Sequence, residues 1–429
     1  MTRSLGKAAV LCGALLVPAM AGAQRGRPPC AADNGGITLP QGFCALVAAD
    51  SLGPARHIAV APNGDVFVAL RNLRDAKGGI VALRDTNGDG RFDVRERFGD
   101  NGGSGIAVRG NELFFGTDDA VLRYRIPAGA LRPTAVPDTI VGQLPTGRSH
   151  TAKTIALRGN ELFVNIGSPS NACQERDRQP QVPGQNPCPE LETRAGIWRF
   201  DAGRTGQTQP DGERWATGIR NAVAITIDPA DGFLWVAQHG RDNLVQNWSA
   251  HFDTTESAEL PAEELFRVSR GDDYGWPYCF YDGLAKKKVL APEYGGDGQQ
   301  VGRCANAKAP VAAFPAHWAP NGLLFYRATH FPAKYRGGAF IAFHGSWNRA
   351  PRPQGGYNVV YVPFANGVAG SYEVFATGFA GDSVQPNAAR HRPVGLALAP
   401  DGSLYISDDR GGRIYRVFWR GRLTPSNEE

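Results

Sequence analysis

The sequence predicts an all-β protein, and three observations support that fold class. The chain has 54 glycines and 31 prolines but only 2 methionines, a composition that favours short strands joined by turns over long helices. Stretches of alternating polar and apolar residues, the pattern of a half-buried strand, recur along most of the chain. Most are followed by a tight turn of the Asn-Gly or Asp-Gly kind and a second alternating stretch, which is the signature of a β-hairpin.

This hairpin unit occurs six times, and its number predicts the architecture. The copies begin at Arg56, Gly103, His150, Arg220, Ala319 and Arg392. Radial repetition of small antiparallel sheets lets an all-β chain of this length avoid exposed sheet edges. We therefore expect a six-bladed β-propeller of four-stranded antiparallel sheets over residues 56–429. A β-sandwich or a two-domain arrangement is the alternative, because repeated hairpins alone do not prove that the ring closes.

The N-terminal residues have the layout of a cleaved secretory signal. Arg3 and Lys7 precede an apolar stretch that ends in the small residues Ala21-Gly22-Ala23. We therefore expect a signal peptide at residues 1–23, an N-terminal segment at 24–55, and a periplasmic or secreted protein. No later apolar run is long enough to cross a bilayer, so no membrane span is expected.

Six cysteines outside the expected leader suit an oxidising compartment. They fall into three pairs that are local in sequence, which favours the disulfides Cys30–Cys44, Cys173–Cys188 and Cys279–Cys304. Sequence alone leaves other pairings open.

The charge distribution limits the kinds of binding partner. The formal net charge is +5, and the basic residues are scattered along the sequence rather than clustered. Nucleic acid and anionic membranes are therefore not expected partners.

A propeller places the start of each innermost strand around its central channel, so the polar residues that head the repeats should converge on one funnel. Each of them has an ordinary structural explanation when taken alone. Together they offer a base, several fixed cations and amide groups, which suit a planar polyanionic ligand and proton abstraction. The set contains His150, Arg220, Asn221, Gln238, His239, Gly240 and Arg392, with Arg390 close by.

From residue 56 to 419 the sequence resembles the glucose/sorbosone dehydrogenase family of soluble pyrroloquinoline quinone (PQQ) enzymes. The motifs that carry the resemblance are GIRNAVAITIDP, DDYGWPYCFYD, HWAPNGLLFY, AFHGSWNR with GGYNVVYVPF, and RHRPVGLALAPDGSLYISDD. DYGWPYC and HGSWNR look closer to the sorbosone dehydrogenase branch. The resemblance implies PQQ and Ca²⁺ as cofactors, a sugar or sugar-derived aldehyde as substrate, and an electron acceptor such as a cytochrome or quinone.

The resemblance also implies roles for single residues. His150 would be the base that removes the substrate hydroxyl proton, with Arg220 and Asn221 against the quinone edge. Arg390 and Arg392 match a basic pair that binds the PQQ carboxylates, and bidentate guanidinium–carboxylate pairing is the physical reason for arginine there.

The implied metal site lies in the turn that starts at Gln238. The backbone carbonyls of His239 and Gly240 would bind Ca²⁺, and Asp242 would orient the turn. Gln238 and Asp242 count with the cofactor-binding residues.

Two positions depart from the glucose enzymes of the family. Ser168 stands where those enzymes carry an acidic residue that orients the catalytic histidine, so the base lacks a partner that stabilises its protonated form. The cofactor lysine of those enzymes has no clear equivalent, and Trp347 and Arg349 occupy that strand end. We therefore expect an altered quinone contact.

Residues 85–96, DTNGDGRFDVRE, match the spacing of a calcium-binding loop. The candidate ligands are Asp85, Asn87, Asp89 and Glu96. Strands rather than helices are expected on both sides of the loop, so a plain hairpin tip explains the motif equally well. We do not expect this loop in the active site.

Two other functions are compatible with a propeller. A hydrolase such as a Ca²⁺-dependent lactonase would need carboxylates and asparagines that face a channel metal, whereas the channel-heading positions here are basic and amide-rich. A non-catalytic propeller that binds glycans or another protein would not need His150. Oxidation of an aldose with a dye as electron acceptor distinguishes the three, since only a dehydrogenase consumes the acceptor.

Overall fold

Short strands and tight turns form six antiparallel sheets in the computed structural model, which describes residues 1–2, 28–147 and 149–421. Apart from Met1 and Thr2, the expected signal peptide lies outside the described residues. The sheets confirm the predicted six-bladed propeller of four-stranded antiparallel blades. None of the described helices has the length and apolar character that crossing a bilayer demands.

The strands of the first three sheets follow one another along the chain. An initial strand, β1, spans Phe43–Ala49. The first sheet contains β2 (Ala55–Val60), β3 (Val66–Leu70), β4 (Gly79–Arg84) and β5 (Val94–Phe98). The second contains β6 (Gly103–Arg109), β7 (Glu112–Thr117), β8 (Val121–Arg125) and β9 (Asp138–Val141). The third contains β10 (Ile155–Arg158), β11 (Glu161–Ile166), β12 (Gly196–Asp201) and β13 (Glu213–Thr217).

The fourth sheet carries the longest inserts. It starts with β14 (Ala224–Ile227) and β15 (Leu234–Gln238), which are followed by the helices α1 (Leu244–Trp248) and α2 (Thr254–Glu259). After β16 (Glu263–Val268) the chain leaves the sheet to form β17 (Asp272–Asp273), β18 (Cys279–Asp282) and β19 (Lys287–Leu290). It returns in β20 (Ala312–Phe314), the outer strand. Strand β17 pairs in parallel with β13 of the third sheet.

The fifth and sixth sheets complete the ring. The fifth contains β21 (Pro320–Phe325), β22 (Ala339–Phe343) and β23 (Asn358–Val362), then the small hairpin of β24 (Phe364–Ala365) and β25 (Val368–Ala369), and finally β26 (Glu373–Ala376). The sixth contains β27 (Pro393–Leu398), β28 (Leu404–Asp408) and β29 (Ile414–Trp419). Short 3₁₀ turns span Asn34–Gly36, Pro189–Glu192, Gln209–Asp211, Pro292–Tyr294, Gly302–Asn306 and Ala333–Tyr335.

Strand β1 closes the propeller by becoming the outer strand of the sixth sheet. It pairs antiparallel with β29, from Phe43 opposite Trp419 to Ala49 opposite Ile414. The structure therefore differs from the expected segmentation, because residues 43–49 of the N-terminal segment belong to a blade. The six inner strands contact one another in a closed ring in the order β2, β6, β10, β14, β21 and β27.

Apolar clusters fill the spaces between neighbouring sheets. Leu46 of β1, for example, packs in one buried cluster with Val68 of β3 and Leu83 of β4. Within each sheet the strands alternate in direction, so the loops after the second and fourth strands emerge at the end where the inner strand begins. We call this end of the propeller the funnel face. It carries the inserts at 167–195 and 239–262.

All three expected disulfides are confirmed: Cys30–Cys44, Cys173–Cys188 and Cys279–Cys304, with Cα atoms 5.7, 6.1 and 5.7 Å apart. The second and third belong to one apolar cluster together with Trp276 and Tyr278. Because the Trp276 indole N–H donates to the Asn171 carbonyl at 3.0 Å, this cluster links the insert after β16 to the insert after β11. The second and third disulfides thus stabilise loops of the funnel face.

The closing strand should contribute measurably to stability. Leu46 is fully buried, so Leu46→Ala leaves a cavity between the sixth and first sheets and should lower the free energy of unfolding by about 2–5 kcal/mol. Denaturant unfolding followed by tryptophan fluorescence measures the effect. Val374→Ala is the control, because Val374 on β26 is 45% exposed and should change the midpoint little. Equal midpoints for the Leu46 variant and the wild type would contradict the role of β1.

Candidate active site at the funnel face

His150 lies in the loop between β9 and β10, with its backbone in the left-handed region at φ 50°. Its Nδ1 is 2.7 Å from the Ser168 carbonyl oxygen and 3.2 Å from the Ser168 hydroxyl. Because a carbonyl only accepts, Nδ1 carries the proton and Nε2 keeps its lone pair. Burial, and then the nearby Arg220 cation, lower the pKa of His150 well below its usual range. The ring is therefore an unprotonated base at neutral pH.

A glycine lets the third sheet approach this histidine. A Cβ atom on Gly167 would lie 2.6 Å from the Cβ of His150 and 2.9 Å from Oδ1 of Asn221. Both distances are shorter than side chains tolerate, so only glycine fits between them. Asn221 itself is buried, and its Oδ1 accepts a long hydrogen bond of 3.4 Å from Asn165. His150 and Asn221 are thereby brought together on either side of Gly167.

Arg220 is a buried cation on the same side of the funnel as His150 and Asn221, which we call the first half of the funnel. Its Nη1 donates to the Gly240 carbonyl at 2.8 Å, and its Nη2 donates to Oδ1 of Asn171 at 3.1 Å. Nη2 also forms an ion pair with Asp242 at 3.2 Å. The backbone N–H of Arg220 donates to the Gln238 side chain. Its buried Nε has no hydrogen-bond partner among the described residues.

Asp242 joins three elements of the funnel face. Besides Arg220, its carboxylate is 3.3 Å from Nη2 of Arg178 and 3.5 Å from Nδ1 of His317, and it accepts a 2.8 Å hydrogen bond from Asn348. Burial favours the neutral acid, but the hydrogen bond to His317 and the cation of Arg220 outweigh burial and hold the pKa of Asp242 well below its usual range. The side chain is therefore a carboxylate.

His239 connects the fourth and fifth sheets. Its Nε2 is 3.1 Å from the Pro320 carbonyl and 3.0 Å from Oδ1 of Asn321. Burial, and then Arg220, lower the pKa of His239 to about 4. His344 contributes to the same lowering from the far side of the funnel. The His239 side chain thus lies where the two halves of the funnel meet.

The second half of the funnel is built around Asp409. Its carboxylate lies 2.9 Å from Nη1 of Arg56, 3.4 Å from Nη2 of Arg71 and 2.7 Å from Nε2 of His344. Arg392 lies beside it and donates to the carbonyls of His344 and Gly345 at 3.0 and 2.7 Å. Two guanidinium groups and one imidazole thus share this carboxylate, and a third guanidinium group lies beside them.

Positive charge remains in excess around Arg392. Burial lowers its pKa, and repulsion from Arg71 and Arg410 lowers it further, whereas Asp409 opposes the shift. The Arg71 side chain is 44% exposed, so one of these cations is open to a ligand in the funnel. An excess of fixed guanidinium groups is typical of a site for carboxylates or phosphates.

His57 crosses the axis of the propeller beneath these residues. From β2 it places Nδ1 2.9 Å from the Ser104 carbonyl of the second sheet and Nε2 2.7 Å from the Asn321 carbonyl of the fifth. Those two sheets lie on opposite sides of the ring. Below the histidine is a cavity of about 250 Å³ lined by all six inner strands. His57 therefore lies across the channel between the funnel residues and this cavity.

The structure brings most of the expected site residues together, and the other four take different positions. The gathered residues are His150, Arg220, Asn221, His239, Gly240, Asp242 and Arg392. Gln238 lies beneath them, where it bridges the Arg220 backbone and Glu264. Arg390 pairs with Asp382 on the surface. Trp347 is 58% exposed, and Arg349 donates to the Ala316 carbonyl.

Several polar residues of the site were not predicted from the sequence. Asn171 fixes both the Arg220 guanidinium and the Asp242 backbone N–H. Two others, His344 and Asn348, belong to the HGSWNR motif, and Asp409 ends the ISDD motif. The two motifs could therefore have pointed to these three residues, whereas Asn171 lies in an insert without a regular strand pattern.

The calcium-type loop at 85–96 lies at the opposite end of the first sheet. Oδ1 and Oδ2 of Asp85 accept the backbone N–H groups of Gly88 and Gly90 at 2.7 and 2.9 Å. Asn87 likewise accepts from the Asp89 backbone, and Glu96 lies 3.8 Å from Arg132. The described part of the chain contains no group of three or more His, Cys, Asp or Glu side chains placed to hold a metal. These hydrogen bonds close the loop as a hairpin tip, and calcium binding by it stays a prediction.

Three curated relatives align with the chain. The pyrroloquinoline quinone-dependent sugar dehydrogenase of Hypocrea jecorina is 24% identical over 439 residues, which cover 90% of this chain and 91% of that protein. The pyrroloquinoline quinone-dependent pyranose dehydrogenase of Coprinopsis cinerea is 29% identical over 239 residues, covering 47% and 30%. An uncharacterized protein of Borreliella burgdorferi is 27% identical over 285 residues, covering 65% and 64%. The chain thus spans less than two thirds of the last two.

Solved structures share the fold. The holo form of the pyranose dehydrogenase PQQ domain from Coprinopsis cinerea superposes with a TM-score of 0.69 at 22% identity, covering 89% of this chain and 97% of that one. The calcium structure of a Trichoderma reesei enzyme of family AA12 gives a TM-score of 0.71 at 20% identity, covering 90% and 97%. At these identities the likeness shows the fold.

A sequence model described as TrAA12-like matches residues 37–420. The matched range contains every strand from β1 to β29 and all the residues of the funnel. The chain therefore belongs to the TrAA12-like family.

Proposed function

We propose that this protein is a PQQ- and Ca²⁺-dependent oxidoreductase that oxidises a sugar or a sugar-derived aldehyde. The observation that carries the proposal is the state of His150, a partly buried, unprotonated base whose Nδ1–H is held by the Ser168 carbonyl at 2.7 Å. This base lies in a funnel with an excess of arginine. The relatives named as PQQ-dependent sugar and pyranose dehydrogenases support the same function.

The residues of the funnel fit PQQ, which is a planar tricarboxylate. Arg56, Arg71 and Arg392 surround the single carboxylate of Asp409 and leave positive charge to spare. On the other side, the buried Nε of Arg220 has no partner in the described part of the chain, so it offers one more donor. Arg392 and Arg71 would bind carboxylates, and Arg220 with Asn221 would contact the quinone edge.

The turn at His239 and Gly240 offers oxygen donors of the kind that Ca²⁺ prefers. Backbone carbonyls would bear most of the coordination, since acidic side chains do not cluster there among the described residues. The Gly240 carbonyl accepts from Arg220, and Asp242 lies in the same turn with its carboxylate ionised. When bound, PQQ supplies an electrophilic quinone that accepts hydride, and Ca²⁺ supplies Lewis-acid polarisation.

The chain's own contribution to the reaction is the proton transfer. Nε2 of His150 takes the proton of the substrate hydroxyl, while Nδ1–H stays on the Ser168 carbonyl and fixes the ring. Because the partner is a neutral carbonyl rather than a carboxylate, the protonated ring gains less stabilisation than in a His–Asp pair. Arg220 adds positive potential beside it, which favours rapid return of the proton to solvent.

The finer assignments rest on the resemblance. We propose an aldose or sorbosone-type substrate and reoxidation by an electron acceptor such as a cytochrome or quinone. The three disulfides support a periplasmic or secreted location. The hydrolase alternative is not favoured, because Asp242 and Asp409 are committed to cations and do not face an open channel position.

The proposed base should be needed for turnover but not for cofactor binding. Protein loaded with PQQ and Ca²⁺ should reduce a dye with an aldose as donor, and His150→Ala should lower turnover by roughly 10²- to 10⁴-fold with PQQ affinity nearly unchanged. Steady-state kinetics and PQQ titration measure both. His251→Ala, at an exposed position near α1, is the control. Wild-type turnover in His150→Ala would refute the base, and a wild type without dye reduction would refute the function.

Arg392→Ala should have the opposite effect. Loss of a guanidinium that binds a cofactor carboxylate weakens PQQ binding first, so activity should partly return at high PQQ concentration. Titration of apo-protein with PQQ, followed by dye reduction, measures this. Arg390→Ala is the matched comparison, because Arg390 pairs with Asp382 on the surface and should matter less. A loss that excess PQQ does not restore would show that Arg392 acts in another way.

The low pKa of His150 predicts the acid limb of the pH profile. The neutral ring is the active form, so kcat/KM should fall only as the pH drops through a pKa below 6.5. Ser168→Asp adds a carboxylate beside Nδ1, which favours the protonated ring and should move the acid limb upward by roughly one to two pH units. Ser168→Ala keeps the carbonyl partner and should leave the limb in place. An acid limb that is the same in all three proteins would contradict this assignment.

A further inference from the structure

Lys153 is a buried cation close to His150 that the proposed reaction does not use. It is 1% exposed and lies between His150 and β10. Its Nζ donates to the Thr151 carbonyl at 2.6 Å and to the Asp118 carbonyl at 2.8 Å. Thr151 follows His150 in the chain, whereas Asp118 belongs to the loop between β7 and β8 of the second sheet. The ammonium group therefore connects the loop that carries His150 to the neighbouring blade. We call this loop, which joins β9 to β10 over residues 142–154, the histidine loop.

The backbone of Lys153 is anchored to the same blade. Its carbonyl oxygen lies so near the second sheet that a Cβ atom on Gly105 or Gly116 would be 2.4 or 2.0 Å from it. Neither position could carry a side chain without moving Lys153. Main chain and side chain of this residue thus contact the second sheet together, which makes Lys153 a fixed point of the loop.

The histidine loop needs such a fixed point. His150 has a φ of 50°, a left-handed conformation that costs free energy in a non-glycine residue and persists only where the surroundings hold it. The described residues of the loop, 142–147 and 149–154, contain no strand. Its other ties to neighbouring sheets include the Leu144 N–H on the Asp119 carbonyl and the Thr154 hydroxyl on the Ala222 carbonyl. Lys153 differs from these contacts because it binds the carbonyl of Thr151, the residue that directly follows His150.

We propose that Lys153 is a positioning residue for His150. By bridging the Thr151 and Asp118 carbonyls, it holds the loop so that Nδ1–H of His150 stays on the Ser168 carbonyl and Nε2 faces the funnel. The geometric part of this proposal stands on the contacts alone. Its kinetic part rests on the proposed function.

The strength of this tie should depend on pH. Burial is the main cause that lowers the pKa of Lys153 to about 8; Arg194 acts in the same direction, and Asp118 and Asp119 oppose the shift. These are the charged groups that face Lys153 in the described part of the chain. Hydrogen bonds from an ammonium group are stronger than those from a neutral amine. The loop should therefore be held most firmly below about pH 8.

This pH effect is distinct from a loss of global stability. The pKa of Lys153 in the folded protein, about 8, is below its ordinary value of 10.5, so the folded state releases this proton before the unfolded chain does. The contribution of Lys153 to stability therefore increases, rather than decreases, as the pH rises through that interval. A fall in turnover near pH 8 without a fall in stability would then reflect the position of His150.

Histidine-ring NMR tests the geometry without any cofactor. Wild-type protein labelled with ¹⁵N in its histidine rings should show His150, assigned by comparison with His150→Ala, as a single tautomer with the proton on Nδ1. Lys153→Met removes the donors at similar volume, so the signal should move toward a mixture of both tautomers. Lys153→Arg keeps N–H donors and should retain the single tautomer. Lys308→Met, at a side chain that is 60% exposed, is the control.

Kinetics of the PQQ-loaded protein test the consequence. Lys153→Met should lower kcat by roughly 10- to 100-fold, since a small misplacement of a reacting group has effects of that size. KM and PQQ affinity should stay within about twofold of the wild type. Lys153→Arg should remove the alkaline limb near pH 8, because arginine stays protonated there.

Three results would overturn the proposal. The first is a wild-type His150 tautomer signal together with wild-type kcat in Lys153→Met. The second is an equal loss of PQQ affinity and kcat, which would make Lys153 a support of the whole funnel. The third, which decides the matter where Lys153→Met does not fold, is an unchanged alkaline limb in Lys153→Arg. A wild type without PQQ-dependent turnover would refute the proposed function, whereas the NMR comparison would still test Lys153.

Discussion

The pairing of β1 with β29 is the interaction on which the other features depend. It joins residues 43–49 and 414–419 in one sheet and so connects the two ends of the chain. The inner strand of that sheet, β27, contacts the inner strands of its neighbours on both sides. Ring closure then forces the starts of all six inner strands around one axis. Residues that are hundreds of positions apart, such as Arg56 and Asp409, thereby form a 2.9 Å ion pair.

Charge balance gives the funnel its chemical character. Two buried carboxylates, Asp242 and Asp409, each serve several cations and remain ionised because of them. The cations outnumber these acids, and Arg392, which has no ion pair with either of them, is held by the backbone carbonyls of His344 and Gly345. Positive potential and burial act together on His150, whose ring stays neutral. Burial, and then Arg220, keep this base neutral, and in the described part of the chain its Nδ1 contacts the Ser168 carbonyl and hydroxyl rather than a carboxylate.

The sequence predicted what local patterns encode. Alternation around tight turns predicted the six sheets, and cysteine spacing predicted the disulfides. The role of β1 was missed because its partner, β29, lies hundreds of residues further along the sequence, and no local turn joins the two strands. Likewise, the position of Arg390 at the head of a repeat did not predict its outward ion pair with Asp382. Side-chain direction in loops depends on tertiary contacts that periodicity does not record.

His57 has a consequence for the order of events. Its ring contacts carbonyl groups of the second and fifth sheets, which lie on opposite sides of the ring, so it narrows the channel at the base of the funnel. In the proposed reaction, the sugar and the electron acceptor would then both approach from the funnel face. With one shared approach, release of the oxidised product before the acceptor binds would be the simplest order, which is a substituted-enzyme scheme with two alternating half-reactions.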